Sequence, residues 1–414
     1  MATHGGGAHT SDELTAAAAG FGITSLYQPI VSLPDGRLVG FEALARWPGL
    51  DDPDPGTVFS HAAATGRLDG LDRACIHAAI GGALAGDLSR GSLLLVNAEP
   101  ATSYRDWADD DVMARGREEL AVMFEITERS LLEHPQTVLR KVAALREDGF
   151  GVALDDVGVH PDSLALLDVI SPDVIKLDID IIQSQPRYDH ARTLSAVLAH
   201  HERTGAVILA EGIETDDHLE QALAMGATLG QGFRFGRAGA LAGARPSAWT
   251  PPERRAGLAP LTGSPFDLVA QRMPTRTARK QTLMAFTRHL ESQAMHLTDP
   301  PMVLAAVQRS TYFTGRTADT YRRLAEHCPL VAVFGENLPA DLGANIRGVQ
   351  LDSADPLCAE WTVLVLGPHH AAGLLARELP DGEVRDAARR FEFAITYDRS
   401  VVTVGVRNLL DRMR

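Results

Sequence analysis

Short apolar runs alternate with longer stretches of helical periodicity over the first half of the chain. The runs have the length of strands: Leu26–Ile30, Leu38–Leu44, Leu93–Val96, Met123–Ile126, Gly151–Leu154, Val174–Leu177 and Val207–Ala210. Helical patterns lie between several of them: Val58–Gly66, Leu71–Ala85, Gln136–Asp148, His190–Arg203 and Asp216–Met225. This alternation is typical of a parallel sheet covered by helices. It predicts a TIM-like (β/α)8 barrel of the α/β class, with a doubly wound open sheet as the alternative.

The pattern changes after Phe235. A stretch rich in Gly, Ala and Pro follows, and its low periodicity predicts a linker. Beyond it lie two helical patterns and then a group of strand-like runs: Thr275–Gln293, Thr317–His327, Leu330–Phe334, Trp361–Leu366, Ala372–Arg377 and Phe391–Tyr397, closed by the amphipathic Val401–Met413. Strands that cluster together predict a separate, smaller α+β domain. We expect a flexible N-terminus (1–20), a barrel (21–245), a linker (246–265) and a second domain (266–414).

Composition and charge narrow the possible partners. The 414 residues include 54 acidic and 39 basic side chains, for a net charge of −15. Such a charge repels nucleic-acid polymers and anionic membranes, although a phosphate ligand bridged by metal is compatible with it. Three scattered cysteines, Cys75, Cys328 and Cys358, suit reduced thiols better than a disulfide framework. No signal core or membrane-length apolar run is present. We expect a cytoplasmic protein.

Polar residues stand at the ends of several predicted strands. They are Asn97, Glu125, Asp155, Asp156, Lys176, Asp178, Glu211 and Glu214, and Glu42 lies within an earlier strand. Carboxyl ends of barrel strands meet at one mouth, where barrel active sites are built. A single acid at such a position is more often a helix N-cap or a solvated loop group. Capping does not explain five strands that each end in an acid or amide and none in Ser or Thr.

So many carboxylates in one cleft require a compensating charge to stay ionised. Oxygen ligands without His or Cys favour Mg²⁺ or Mn²⁺ over zinc. Two such ions bridged by Asp155 would polarise a phosphodiester and activate a water. Lys176 would stabilise the charge that develops on that water or on the phosphate oxygens.

The ordered motifs resemble those of the EAL domain, a cyclic-di-GMP-specific phosphodiesterase. They are Tyr27-Gln28-Pro29-Ile30, Glu42-Ala43-Leu44-Ala45-Arg46, Asn97, Glu125-Ile126-Thr127-Glu128, Asp155-Asp156, Lys176-Leu177-Asp178, Glu211-Gly212-Ile213-Glu214 and Gln231-Gly232. A lone Glu-Ala-Leu triplet carries no information, but this ordered set is specific. The resemblance covers about residues 26–235 and implies hydrolysis of cyclic-di-GMP to linear pGpG with two Mg²⁺ or Mn²⁺ ions. It also implies a possible homodimer.

The resemblance assigns a role to each motif residue. Glu42, Asn97, Glu125 and Asp155 would hold the first metal, and Asp155, Asp156 and Glu211 the second, with Asp178 nearby. Glu211, as the general-base candidate, and Lys176 would act on the attacking water. Gln28, Arg46 and Gln231 would contact the dinucleotide. Glu128 would anchor the loop after Asp156, and Glu214 would support the site.

One loop departs from the family pattern. Where active relatives continue Phe-Gly-Thr-Gly after the aspartate pair, this chain reads Val157-Gly158-Val159-His160. His160 is either an extra metal ligand or a surface histidine. The change keeps open an alternative function, a catalytically weak or inactive receptor that binds cyclic-di-GMP and signals to a partner. The chain contains no Gly-Gly-Asp-Glu-Phe cyclase motif, so we expect no synthesis of cyclic-di-GMP.

The second domain resembles the DICT domain, a sensory module. The resemblance rests on Trp361–Pro368, Leu374–Leu379 and Phe391–Asp398. It implies a regulatory role toward an unknown ligand or protein partner. Trp361, Cys358, His369 and His370 are candidates to line a ligand pocket, although apolar strands and their neighbours read equally well as core or surface.

Overall fold

Eight strands close into a barrel in the first half of the chain. The computed structural model describes residues 11–50, 52–102, 104, 110–127, 132–159, 161–185, 187–241, 243, 245–251, 263–313, 315–380 and 386–413. The barrel strands are β1 (Thr24–Ser32), β2 (Leu38–Arg46), β3 (Ser92–Asn97), β4 (Leu120–Thr127), β5 (Gly151–Val157), β6 (Val174–Leu177), β7 (Val207–Ala210) and β8 (Leu229–Gly230). The predicted TIM-like barrel is confirmed.

The first strand runs against its neighbours. β1 pairs antiparallel with both β2 and β8, whereas each step from β2 to β8 is parallel. The cause lies in the connection, because only five residues join β1 to β2 and a parallel crossover needs a dozen or more. The two apolar runs that no helical pattern separates are therefore a hairpin inside the barrel wall.

Helices cover the outside of the barrel. They are α1 (Ser11–Ala18), α2 (Pro55–Ala64), α3 (Leu68–Ala85), α4 (Asp111–Glu119), α5 (Pro135–Glu147), α6 (Leu167–Ile170), α7 (Ile179–Gln183), α8 (Tyr188–Thr204) and α9 (Asp216–Ala224). The expectation of a wholly flexible 1–20 needs correction. Helix α1 buries Ala17 and Ala18 in a cluster with Trp47, because its small residues allow close packing on α2.

The second domain is built on one mixed sheet of seven strands in the order β12-β11-β10-β13-β14-β15-β9. Its strands are β9 (Arg276–Arg279), β10 (Met302–Arg309), β11 (Val331–Glu336), β12 (Ile346–Leu351), β13 (Glu360–Leu366), β14 (Ala371–Glu378) and β15 (Arg390–Thr396). Its helices are α10 (Pro265–Ala270), α11 (Lys280–Ala294), α12 (Arg316–Ala325) and α13 (Arg399–Leu410). A separate α+β domain is confirmed.

The hydrophobic pattern of the sequence did not predict three strands of this sheet. β10 and β12 were not predicted, and β9 lies where we expected the start of a helix. The reason for β9 is its composition, since an edge strand of the sequence Arg-Thr-Ala-Arg, with no buried residue, has no apolar alternation.

An ion pair between Arg192 on α8 and Asp299 joins the two domains, which also contact each other through α13. This helix packs against α5 and α6 of the barrel, and its Asp411 accepts a hydrogen bond from Gln136 on α5. Within the predicted linker, the backbone N–H of Ser247 and of Trp249 donate to Leu38 and Gly91, so residues 247–249 lie against the barrel. The three cysteines occupy described positions and form no disulfide. Among the described helices, we find none with the length and apolar composition needed to cross a bilayer.

Candidate active site

The alternation of side chains along each strand places the predicted polar residues inside the barrel. Side chains of a strand alternate between its two faces. Apolar residues that fill the barrel are followed two positions later by the predicted polar residues, in the pairs Leu95 and Asn97, Met123 and Glu125, Ala153 and Asp155, Val174 and Lys176, Leu209 and Glu211, and Leu229 and Gln231. In β1, which runs the other way, Gln28 lies two residues before the inward-facing Ile30. The interior therefore changes from apolar to ionic at one mouth.

Lys176 lies at the centre of this mouth. Its Nζ atom is 2.6 Å from Glu125 Oε1, 2.8 Å from Asp155 Oδ1 and 3.0 Å from Glu211 Oε1. Glu42 Oε1 is slightly farther, at 3.7 Å. The lysine side chain is 1 % exposed. One buried ammonium thus faces four carboxylates, and the group carries a surplus of negative charge.

This surplus of negative charge contributes to shifts in the pKa values of these groups. Burial raises the pKa of Glu125 well above its usual range, and the nearby carboxylate of Glu42 raises it further. Burial likewise raises the pKa of Glu211 to about 8. For Lys176, burial opposes the charge, but the carboxylates of Glu125 and Glu211 outweigh it and raise the pKa well above the usual range. These carboxylates therefore favour the charged form of Lys176.

Three carboxylates come close enough to share a cation. Oxygen atoms of Asp155, Asp156 and Glu211 all lie within 4.8 Å of one another. Asp156 is exposed and has a φ of +57°, a left-handed conformation that few non-glycine residues adopt. Buried Glu125 Oε2 accepts no hydrogen bond from any described residue. An all-oxygen donor set with an unpartnered buried carboxylate oxygen fits a hard divalent cation.

Hydrogen bonds link the first predicted metal site to two glutamines. Gln231, which is buried, donates through Nε2 to Glu42 Oε2 and, at 3.0 Å, to Gln28 Oε1. Asn97 Nδ2 donates to Glu42 Oε1 at 3.4 Å. Glu42 is therefore oriented from two sides by amides.

A cleft of about 500 Å³ opens beside these residues. Glu42, Asn97 and Glu125 line it, together with Arg46, whose Nη1 donates to the carbonyl of Ala45 at 2.8 Å. A cleft of this size accommodates a drug-sized ligand. The arrangement places a cation-binding group at the side of a ligand-sized cleft.

Asp178 and Glu214 are not among the residues that contact Lys176 or form the cluster of three carboxylates. Asp178 caps α7, because its Oδ1 accepts the N–H of Asp180 at 2.8 Å, and it remains near enough to Asp156 to raise the pKa of that carboxyl after burial and Asp155. Glu214 is exposed. Glu128 lies outside the described residues.

Comparison with known proteins identifies the first half of the chain. Residues 12–238 match the family model of the EAL domain. The chain belongs to the EAL family. Residues 267–379 match the DICT model, described as a sensory domain in diguanylate cyclases and two-component systems.

Individual proteins are similar to this chain over about half of its length. The chain is 31 % identical over 224 residues to the cyclic di-GMP phosphodiesterase RocR of Pseudomonas aeruginosa, which covers 51 % of this chain and 56 % of RocR. An uncharacterized protein of Azorhizobium caulinodans is 32 % identical over 240 residues, 54 % of this chain and 33 % of that protein. The chain thus spans about half or less of these relatives' lengths. A calcium and cyclic-di-GMP complex of Klebsiella pneumoniae BlrP1 matches with 27 % identity and a TM-score of 0.46, over 54 % of this chain and 57 % of BlrP1.

The altered loop of this EAL domain is firmly packed at its start. Val157 is fully buried. Gly158 has a φ of +115°, and a Cβ added there would lie 2.2 Å from Cδ1 of Ile181, so the position requires glycine. Val159 is exposed, and His160 lies outside the described residues. Of the two glycines in the family pattern, this chain keeps Gly158, which stands where the backbone conformation requires glycine.

Sequence patterns missed a buried polar cluster that supports the EAL site. Lys141 Nζ lies 3.2 Å from Asp72 Oδ2 and donates to Thr102 Oγ1 at 2.8 Å and to the carbonyl of Glu99 at 2.6 Å. Asp72 also accepts the N–H of Glu99 at 2.9 Å. These contacts hold the loop that follows Asn97 against helices α3 and α5. The only sequence signal of the cluster is a charged residue on the apolar side of each of α3 and α5.

Proposed function

We propose that the EAL domain hydrolyses cyclic-di-GMP to linear pGpG with the help of two Mg²⁺ or Mn²⁺ ions. The observation that carries the proposal is the cluster of Asp155, Asp156 and Glu211, with oxygens within 4.8 Å of one another beside the ammonium of Lys176. Membership of the EAL family and the similarity to RocR, a cyclic di-GMP phosphodiesterase, support the substrate.

The chain's own residues have distinct tasks in this reaction. Glu42, Asn97, Glu125 and Asp155 would hold one cation, and Asp155, Asp156 and Glu211 the other. When bound, the cations would supply Lewis acidity and lower the pKa of a water. Glu211 would accept a proton from that water, whose oxygen bonds to phosphorus while the bond to the 3′ oxygen breaks. The released 3′ oxygen would take up a proton from solvent and become the 3′ hydroxyl of pGpG. Lys176 would stabilise negative charge on the phosphate oxygens.

Product analysis tests this function. Purified full-length chain is incubated with cyclic-di-GMP and Mn²⁺ or Mg²⁺, and pGpG is resolved by chromatography. Glu211→Gln should lower the rate by about 100-fold or more, because it removes the general base and a metal ligand. Glu220→Gln, the same exchange at an exposed position of α9, should retain the wild-type rate.

The receptor alternative predicts a different outcome. The altered loop at Val157–His160 motivates it, since that loop follows directly on Asp156. Dinucleotide that binds with micromolar affinity and stays uncut at every metal concentration would refute hydrolysis and support the receptor. Absence of both binding and cleavage would refute both functions.

We also propose that the second domain regulates the EAL domain. Its match to a sensory family and its direct packing on α5 and α6 support this role. Helix α6 follows the altered loop through the short 3₁₀ segment Pro161–Leu166, so a shift of α13 would reach the segment beside Asp156 over a short path.

A further inference from the structure

A cavity of about 590 Å³ lies in the second domain, away from the EAL site. It is enclosed by α11, α12, β10 and β13 and by the 3₁₀ segment Asp386–Ala388. Ligand pockets of small molecules have volumes of this order. Of the four residues that the sequence suggested as pocket lining, Trp361 lies on this cavity, whereas Cys358, His369 and His370 are not part of its lining.

One side of the cavity is aromatic. Trp361 meets Phe391 edge to face, with ring centroids 5.8 Å apart. The guanidinium of Arg389 lies over the buried ring of Phe391 at 5.3 Å and over the ring of Tyr312 at 4.8 Å, and the ammonium of Lys280 lies 4.9 Å from the Tyr312 ring centroid. The half-buried rings of Trp361 and Tyr312 line the cavity and are held in place by these neighbours. Aromatic side chains in such positions suit a planar ring.

The cavity also holds two arginines without a close ion-pair partner, although the buried Glu291 lines the cavity too and lies near both of them. Arg389 is paired with Glu378, and Lys280 with Asp386. Within the described part of the chain, Arg288 on α11 and Arg316 on α12 form no ion pair within 4 Å, although both line the cavity. Two guanidinium groups on facing helices are suited to bind a carboxylate.

A buried hydroxyl lacks a hydrogen-bond partner in the same cavity. Thr287, on α11, is 8 % exposed, and its Oγ1 bonds to no described residue. An unpartnered buried hydroxyl destabilises the folded state, so native proteins rarely keep one without a use for it. It is a preformed partner for a polar atom of a ligand.

We propose that this cavity binds a planar aromatic carboxylate. The ring would lie against Trp361 and Tyr312, and the carboxylate would accept hydrogen bonds from Arg288 and Arg316. The hydroxyl of Thr287 would bond to a polar atom of the ring system. The domain would then sense an aromatic acid.

A charge series of one ring system tests the assignment. Indole-3-acetate, indole-3-acetamide and tryptamine are titrated into the full chain by calorimetry at pH 7. We expect the acetate to bind at least about 10-fold more tightly than the amide, and tryptamine more weakly still. Equal affinity for acetate and amide, or no binding of any probe at 5 mM, would overturn the proposal.

Matched variants locate the binding. Arg288→Gln combined with Arg316→Gln should reduce the affinity for indole-3-acetate to that for the amide. Arg276→Gln combined with Arg322→Gln removes the same charge at exposed positions outside the cavity and should leave the affinity unchanged. Equal losses in the two double variants would mean a general charge effect and would contradict the site.

Thr287→Val supplies a readout that is independent of charge. The variant should weaken indole-3-acetate binding several-fold while the unliganded chain unfolds at the same or a higher denaturant concentration, because valine fills the space without an unpaired hydroxyl. An affinity equal to that of the wild type would remove Thr287 from the site. Lower stability of the unliganded variant would show a structural role instead.

Discussion

The roles of several site residues in this protein depend on their neighbours more than on their residue type. Gln231 is the clearest case, because the resemblance assigns it to the dinucleotide whereas its buried amide donates to Glu42. Asp178 similarly serves as a helix cap in this structure. Both residues sit next to the proposed metal site, so their neighbours decide whether they hold the cation, the substrate or the backbone.

Gln231→Leu separates these roles. The exchange removes the hydrogen bond that orients Glu42, and loss of such an outer ligand contact weakens metal binding by about 10-fold or more. We expect the half-saturating Mn²⁺ concentration, measured by calorimetry without substrate, to rise by that factor. Unchanged Mn²⁺ affinity together with a higher KM for cyclic-di-GMP would assign Gln231 to the substrate instead.

Glu291, beside the second-domain cavity, makes stability depend on pH. Burial raises the pKa of Glu291 to about 7, while Tyr321 donates a hydrogen bond to it and Arg288 and Arg316 lie near enough to oppose the shift. The folded pKa exceeds the ordinary value of 4.5, so this group's contribution to stability is full below about pH 4.5 and is lost as pH rises through 7.

Glu291→Gln should therefore stabilise the chain more at pH 8 than at pH 5. Glutamine mimics the protonated acid, and we expect a gain of about 1–3 kcal/mol in unfolding free energy at pH 8. Urea unfolding at the two pH values measures it, with Glu326→Gln at an exposed position as the control. The same gain at both pH values would contradict the raised pKa.

At the scale of elements, the EAL site depends on how helices hold the loops between strands. α3 and α5 contribute Asp72 and Lys141, which are 1 % and 3 % exposed and meet beneath the loop after β3. Removing one member of a buried pair leaves the other charge uncompensated. These two helices thereby support Asn97 without touching the proposed metals.

Lys141→Met tests this support. Methionine keeps most of the volume but leaves Asp72 without its ammonium, and we expect a loss of about 3 kcal/mol in unfolding free energy by denaturant titration. Arg115→Met breaks an exposed pair with Glu119 and should cost at most about 0.5 kcal/mol. Similar small losses in both variants would show that the buried cluster contributes little.

At the scale of the whole molecule, ion pairs of Asp168, Asp299 and Asp411 join the two domains. Asp168 on α6 pairs with His200 and Arg203 of the barrel and with Arg399, the first residue of α13. Burial opposes its charge, but the hydrogen bond and charge of His200, with the two arginines, hold the pKa of Asp168 well below its usual range. Arg399 also donates to the carbonyl of Gly367 at 2.9 Å. The contact is thus ionic and shared by both domains.

Arg399→Ala should loosen this contact while the barrel stays folded, because Asp168 keeps its partners on α8. We expect amide hydrogen exchange in α6 and α13 to accelerate several-fold, while β3 and β4 keep their protection. Arg322→Ala, at an exposed position of α12, is the control. Unchanged exchange in α6 would show that Arg399 does not hold the domains together.

The sequence by itself determined the barrel and the direction of most site residues. Strand periodicity is local, so an apolar residue that faces inward at Leu95 or Met123 already directs Asn97 or Glu125 inward. Order and spacing of the motifs then pointed to the EAL family, and apolar runs indicated the second sheet. Where a strand lacks such a pattern, as in β9, the sequence carried no signal.

Only the tertiary structure decided which of these groups meet. The contacts of Lys176 with four carboxylates, of Gln231 with Glu42, and of Asp168 with Arg399 join residues 21 to 231 positions apart in the chain. No local period encodes such pairs, because they depend on how strands close and helices pack. For the same reason the sequence did not predict the cavity of the second domain, because its aromatic and cationic residues come from separate helices and strands.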